Sequence, residues 1–312
     1  MTWHHLFVFL CKVMRPSTSK STSNIEDQER NWLDLPSDVT ANILLRIGTI
    51  DILKNAQKVC TVWRKICKDP SMWKVINMRV LLKSDAFFLI EELCKHVVDR
   101  SQGQLDGIAF VYDDNEALLR YVADRSSVLR HLMVTCRYGI QTVRGLNESL
   151  MKFPLLEGLY LYRVTISKET IETVGRHCPK LKILKMNQRA CRLCVEDANE
   201  ESLTSYNEIA IAIGGSLHEL RHLELKGNKM SNVGLQVILD GCRHLETLDL
   251  SECFYIDLKG NPVTECLKQI NNLKLPTDSL ESDPYVCAKH DYEDDFETLN
   301  SHDVDYDGYN SD

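Results

Sequence analysis

Residues 220–228 read Leu220-Arg221-His222-Leu223-Glu224-Leu225-Lys226-Gly227-Asn228, an L-x-x-L-x-L frame closed by Gly-Asn. Leu223 and Leu225 stand two apart, so both project from one side of a short strand. The frame recurs at Leu105/Ile108/Phe110, Leu129/Leu132/Val134, Leu156/Leu159/Leu161, Leu181/Leu184/Met186, Leu245/Leu248/Leu250 and Ile270/Leu273/Leu275. In chain order the seven starts are 24, 27, 25, 39, 25 and 25 residues apart. A degenerate eighth unit is expected at Trp73/Ile76/Met78.

Helical patterns fill the gaps between frames. Ile171, Val174 and Cys178 recur at helical spacing after the capping candidate Ser167, and Val237, Ile238 and Cys242 do so after Ser231. Cys178 and Cys242 each sit three residues before the next frame, while Asn228 and Cys253 each sit three after one, where a turn needs hydrogen-bonding side chains. A single strand–helix coil cannot bury its apolar side, so coils of this period must stack. The expected fold over 74–280 is a leucine-rich-repeat solenoid of about seven or eight repeats, with parallel strands on the concave face and helices on the convex face.

In such an array, frame positions three, five and seven face the concave side. They are His131, Met133 and Thr135, then Gly158, Tyr160 and Tyr162, then Ile183, Lys185 and Asn187, with His222, Glu224, Lys226 and Thr247, Asp249, Ser251 further on. Tyr160, Tyr162 and Met133 have no core to fill there, which suits a contact patch. The substrate-facing candidates are His131, Met133, Tyr160, Tyr162, His222 and Asp249. The spacing of 39 marks an insertion, residues 188–206, expected as a loop; it contains Cys191, Cys194 and an acidic stretch from Glu196 to Glu201.

Upstream, residues 31–73 follow another pattern. Leu35-Pro36-Ser37-Asp38 is an extended pair followed by a helix start. Val39, Ile43, Leu44 and Ile47 form one helical stripe, stopped at Gly48. Asp51 is the expected cap of a second short helix with Ile52, Leu53 and Ala56. A third carries Val59, Cys60, Val62, Trp63, Ile66 and Cys67 and ends at Asp69-Pro70, just before Trp73. Three helices in about 40 residues lie near the lower limit for independent folding, so part of their apolar surface belongs to a neighbour or a partner.

Leu35-Pro36-x-x-Val39, Ile43-Leu44, Val59-Cys60-x-x-Trp63-Arg64 and Asp69-Pro70-x-x-Trp73 resemble an F-box in register. Gly48-Thr49-Ile50 departs from it, since many members have an aromatic or Leu followed by Pro there. With the repeats, residues 31 to about 280 resemble the F-box/leucine-rich-repeat proteins, particularly short plant-type members. The resemblance implies a three-helix module that docks on a Skp-type adaptor and so joins a cullin–RING ubiquitin ligase, while the repeats hold a target protein. By position, Leu35, Pro36, Ile43, Leu44, Val59, Cys60 and Trp63 match adaptor-contacting or supporting residues of that family. The alternative is a repeat scaffold or inhibitor acting outside a ligase. A hormone co-receptor closing around a small molecule would need more repeats than this short arc supplies.

Composition narrows the class. At 44% apolar and 26% charged residues the chain has a globular composition, and no apolar run is long enough to span a bilayer. The formal charge of −8 is concentrated at one end. Residues 283–312 hold eight Asp and two Glu against one Lys, leaving a nearly neutral body without the basic field of a nucleic-acid binder. The expected organisation is therefore a disordered leader (1–30), the F-box (31–73), the array (74–280) and an acidic disordered tail (281–312). Twelve dispersed Cys read as reduced, mostly buried thiols, and the expected location is nuclear or cytoplasmic.

No cofactor or metal is expected. Cys191-x-x-Cys194 and His218-x-x-x-His222 are separated by 23 residues, too many for a zinc finger. Asp303-x-Asp305-x-Asp307-Gly308 opens like a calcium loop, but its twelfth position would fall beyond residue 312. No nucleophile–base set or phosphate-cradling Gly loop stands out, so the expected role is positioning rather than catalysis.

Overall fold

The computed structural model describes residues 35–78, 87–112, 116–136, 141–187, 200–259 and 263–278. The leader, the acidic tail and Cys191/Cys194 lie outside the described residues. The chain divides into two compact units, Met1–Ser37 and Asp38–Asp312. Of the first only residues 35–37 are described; the second holds the architecture.

Among the described residues helix Ser37–Leu45 comes first, followed by Thr49–Lys54, a 3₁₀ turn at Ala56–Lys58, helix Thr61–Ile66 and another 3₁₀ turn at Pro70–Trp73. The second helix starts three residues earlier than expected. Gly48, at φ 90°, is its N-cap, and Asp51 lies inside the first turn. A positive φ is open to Gly without a Cβ penalty, so the backbone rather than a side chain sets that start. The third helix is capped by Cys60, whose Sγ accepts from the Trp63 N–H at 3.4 Å. Asp69 Oδ1 accepts from the Ser71 N–H at 2.9 Å, and hydrogen bonding from the Ser71 hydroxyl, then from its N–H, holds the Asp69 carboxyl below its usual range.

These helices are tied to the first strand. Trp73 is buried and donates from Nε1 to the Cys67 carbonyl at 2.9 Å. The Arg100 guanidinium lies 5.1 Å from the centre of the Trp73 ring and donates to Gln57 Oε1 at 3.3 Å. The Asn77 N–H donates to Thr49 Oγ1 at 3.0 Å.

Eight strands form one sheet in chain order: β1 (Val75–Asn77), β2 (Gly107–Tyr112), β3 (His131–Cys136), β5 (Gly158–Tyr162), β7 (Ile183–Asn187), β8 (His222–Lys226), β9 (Thr247–Asp249) and β10 (Asn272–Lys274). Every pairing in it is parallel. A short parallel pair, β4 (Gln141–Thr142) and β6 (Val164–Thr165), lies outside that sheet. Parallel neighbours need a crossover, and among the described residues one helix stands between each successive pair of strands in the large sheet, from Phe87–Arg100 to Val263–Leu267. The frame expected at Trp73/Ile76/Met78 is β1, with all three side chains buried.

The frame leucines make the core: Leu132, Leu159, Leu161, Leu184, Leu248 and Leu250 are fully buried. Just before six of the strands, one carbonyl accepts from two consecutive N–H groups that lead into the next strand. Asp106 O takes Arg130 and His131, Arg130 O takes Glu157 and Gly158, and Lys182 O takes Arg221 and His222. These bonds hold neighbouring strands in register at their entry. Of the expected insertion, residues 200–206 belong to helix Glu200–Ser216, the longest described helix, and residues 188–199 lie outside the described residues. Among the described residues no helix is long and apolar enough to cross a membrane.

Both expected serine caps are present. Ser167 Oγ accepts from the Thr170 N–H, and Ser231 Oγ accepts from the Val233 N–H at 3.3 Å. Ser231 is also bound by Asn207, whose Nδ2 donates to Ser231 Oγ at 3.1 Å and whose Oδ1 accepts from the Ser231 N–H at 3.0 Å. Ser167→Ala should destabilise by about 1 kcal/mol and Ser231→Ala by about 2 kcal/mol in urea unfolding, since the latter also strips a partner from Asn207. Equal costs would show that the Asn207 bonds add nothing.

Candidate docking surfaces

The helical module leaves its apolar stripe only half covered. On helix Ser37–Leu45, Thr40 and Leu44 are buried, while Val39, Ile43 and Leu45 are not. On the third helix Trp63 is buried and Val62 is open. Five of the eleven exposed large hydrophobics of the described chain, Val39, Ile43, Leu45, Val59 and Val62, fall in this short segment at 36–47% exposure. Scattered exposed aliphatics are ordinary, whereas a concentration in one small module marks an interaction surface.

Of the seven positions matched to adaptor contact or support, Ile43 and Val59 are exposed, Pro36 is exposed, and Leu35 and Cys60 are half-buried. Leu44 and Trp63 are buried in the chain's own core and can only support such a surface. Val39, Leu45 and Val62, none of them among the seven matched positions, are exposed as well. Val39 and Val62 belong to the apolar sets read from their helices, whereas nothing in the sequence marked Leu45.

The sheet face is organised in rows by strand register. One row runs His131, Gly158, Ile183, His222, Thr247, Asn272, and the next Met133, Tyr160, Lys185, Glu224, Asp249, Lys274. His131 and Tyr160 stack at a tilt, 6.3 Å between ring centres, above Gly158. A Cβ on Gly158 would lie 2.7 Å from His131 Nδ1 and 2.8 Å from the Tyr160 ring, so this glycine makes room for the pair. Met133, Tyr160 and His222 are half-buried, as surface contacts would be. His222 Nδ1 is 3.2 Å from Thr247 Oγ1.

The third row is closed. Thr135, Tyr162, Asn187 and Lys226 are buried, as are Ser251 and, in the second row, Asp249, so Tyr162 and Asp249 offer little surface for direct contact. The alternation continues into these positions, but the strand ends are held by backbone bonds to adjacent coils: Arg163 N–H donates to Asn187 O, and Gly227 N–H to Ser251 O. Lys226 lies between two carboxylates, with Nζ 3.1 Å from Glu224 Oε1 and 3.5 Å from Asp249 Oδ2. Lys185 reaches Glu224 Oε2 at 3.2 Å and Lys274 reaches Asp249 Oδ2 at 3.6 Å. Asp249 Oδ1 accepts from Ser251 Oγ at 2.6 Å and from its N–H at 3.0 Å. This charge ladder was not legible as a set, because its members are brought together only by the pairing of strands distant in sequence.

These residues line a groove of about 830 Å³ over β5 to β10, with Tyr160, Ile183 and His222 on it as well. His218 is exposed in the turn before β8, with Nδ1 3.2 Å from the Gly241 carbonyl. No group of three or more metal-ligating side chains occurs among the described residues.

Residues 32–79 match the F-box-like family. Putative F-box/LRR-repeat protein 22 of Arabidopsis thaliana is 41% identical over 265 residues, covering 84% of this chain and 82% of that protein. The chain belongs to the F-box/LRR-repeat proteins. F-box protein SKIP19 of the same plant is 38% identical over 306 residues, 95% of this chain and 94% of its own. Putative F-box/LRR-repeat protein 23, at 43% identity, matches 88% of this chain, which spans only 60% of that longer relative. Within this F-box/LRR-repeat chain the F-box is N-terminal, and the open aliphatic face lies inside the matched segment.

Proposed function

We propose that this chain is the non-catalytic, substrate-recognising subunit of an SCF-type cullin–RING ubiquitin ligase. Its F-box is a three-helix unit that docks on a Skp-type adaptor. Its repeats form a solenoid whose concave strands hold a target protein and whose convex helices only support them. The observation that carries this reading is the exposed Val39, Ile43, Leu45, Val59 and Val62 set within the F-box-like segment. Between residues 38 and 69 six Lys/Arg stand against three Asp, so the partner surface is apolar with an acidic rim. Catalysis is left to other subunits; the receptor raises the local concentration of a target lysine near them. The chain would act in the nucleus or cytosol, where such a ligase meets its targets.

Titration calorimetry of the full chain against a Skp-type adaptor tests this. Ile43→Asp and Val62→Asp should each weaken binding at least about 30-fold, the loss of a buried interface anchor. Leu35→Ala/Pro36→Ala should weaken it too, and all three variants should keep the parent melting temperature. An intact chain that binds no adaptor rejects the ligase role in favour of a free-standing repeat scaffold.

A further inference from the structure

The charge ladder is asymmetric in what it shows to solvent. Lys226 is enclosed and draws Glu224 and Asp249 inward, their side chains nearly buried against it. The accessible charges of the row are at its ends: Lys185 at 37% and Lys274 at 45% side-chain exposure. The groove thus presents two ammonium groups outward, with His222 one row over and the Tyr160 ring on its wall. β7 and β10 are three strand intervals apart, about 14 Å, which an extended peptide spans in about four residues.

The chain contains segments of that pattern. Acidic residues four apart occur at Asp291/Asp295, Glu293/Glu297 and Asp303/Asp307, interleaved with Tyr292, Phe296 and Tyr306. All lie in residues 283–312, which follow closely on β10, the last strand of the groove. Asp291 is 17 residues beyond Lys274. A tether of that length holds the segment at an effective concentration in about the millimolar range, enough to populate a weak, mainly electrostatic contact.

We propose that the groove over β5 to β10 is a binding site for an extended acidic peptide bearing aromatic side chains, and that residues 283–312 of the same chain occupy it. Lys185 and Lys274 take carboxylates four apart, and an aromatic ring lies against Tyr160. This rests on reading the sheet face as the target-binding face, and gives the tail the part of a competitor that a tighter target displaces.

Zero-length carbodiimide cross-linking of the full chain, mapped by mass spectrometry, is the test. Isopeptide links from carboxylates of residues 283–312 should form chiefly at Lys185 and Lys274, and should vanish in 0.5 M salt or in Lys185→Met/Lys274→Met. Links spread evenly over exposed lysines such as Lys58, Lys68 and Lys180 would overturn the assignment. A synthetic peptide of residues 283–312 should bind a full chain whose tail carboxylates are changed to amides about tenfold more tightly than the unaltered chain, because the tethered competitor is gone. Equal affinity, or no binding to either, overturns it as well. Adaptor titration on the same samples separates the two readings. Cross-links without adaptor binding sink the ligase role and keep the groove, and adaptor binding without these cross-links does the reverse.

Discussion

Gly241→Ala should destabilise the chain by about 3 kcal/mol or more, while Gly215→Ala, in the neighbouring helix, should be neutral or stabilise by up to about 1 kcal/mol. Helices Glu200–Ser216 and Asn232–Gly241 meet backbone to backbone. A Cβ on Gly241 would lie 1.9 Å from the Gly214 carbonyl oxygen and 2.6 Å from its carbon. On the other side, a Cβ on Gly214 would lie 2.3 Å from the Val237 oxygen. Neither obstacle is a flexible side chain, so the added methyl must push the helices apart. That opens the core at Ile213 and Ile238, both fully buried. A Cβ on Gly215 meets nothing within 4 Å, so there the better helix propensity of Ala acts alone. For a chain of this size about 3 kcal/mol corresponds to a melting temperature lower by roughly 6–12 °C. Differential scanning calorimetry of the two variants would settle it. A Gly241→Ala chain melting within about 1 °C of the parent would mean that the helices separate freely at no cost.

That close approach was not legible in the sequence, and the reason is general to parallel strands joined by helices. Frame spacing is a local signal, and it located the eight strands, including the degenerate one at Ile76. Ser167 and Ser231 were legible as caps because a cap needs only its own next turn. What a residue meets on the adjacent coil is encoded about 25 residues away, with nothing nearby to mark it. Gly214 and Gly241 look like helix-weakening residues until their helices are placed side by side. In the same way Lys226 looks like one more concave lysine until register puts it between Glu224 and Asp249. The F-box half behaved differently. Its apolar stripe was visible, but burial divides it, with Leu44 inward and Ile43 outward, and a stripe alone does not say which edge a partner covers. Asp51 failed as a cap because Gly48 already fixed the turn, a backbone effect that outweighed the side-chain preference.

The second large effect expected is alkaline unfolding. Seven described cysteines are free thiols, six of them buried. Burial pushes Cys94, Cys178, Cys242 and Cys253 up to about 12, and Cys136 to about 11. The cysteines of the repeats also act as donors. Cys178 Sγ reaches the Leu150 carbonyl at 3.5 Å, Cys242 Sγ the Leu217 carbonyl at 3.4 Å, and Cys253 Sγ the Leu225 carbonyl at 2.9 Å. Each bond links one coil to the coil before it and requires the proton to stay on sulfur. In the unfolded chain the same thiols ionise near 8.5–9, so the folded state holds its protons more tightly. Their contribution is therefore complete below about pH 8.5 and is lost as pH climbs toward the folded values. At pH 10 each of the four most shifted thiols should lower stability by about 1.5–2 kcal/mol relative to pH 8, or about 6–8 kcal/mol together. That is comparable with the whole stability of a typical domain. The melting temperature should accordingly fall steeply between pH 8.5 and 10 under reducing conditions, while circular dichroism at 25 °C shows the chain losing its fold near pH 10. Over the same range, alkylation of Cys94, Cys178, Cys242 and Cys253, followed by mass spectrometry, should accelerate only as unfolding sets in, whereas half-buried Cys60 labels earlier. A melting temperature flat from pH 8 to 10, or prompt labelling of those four at pH 8, would show that their thiols are neither sealed nor needed as donors.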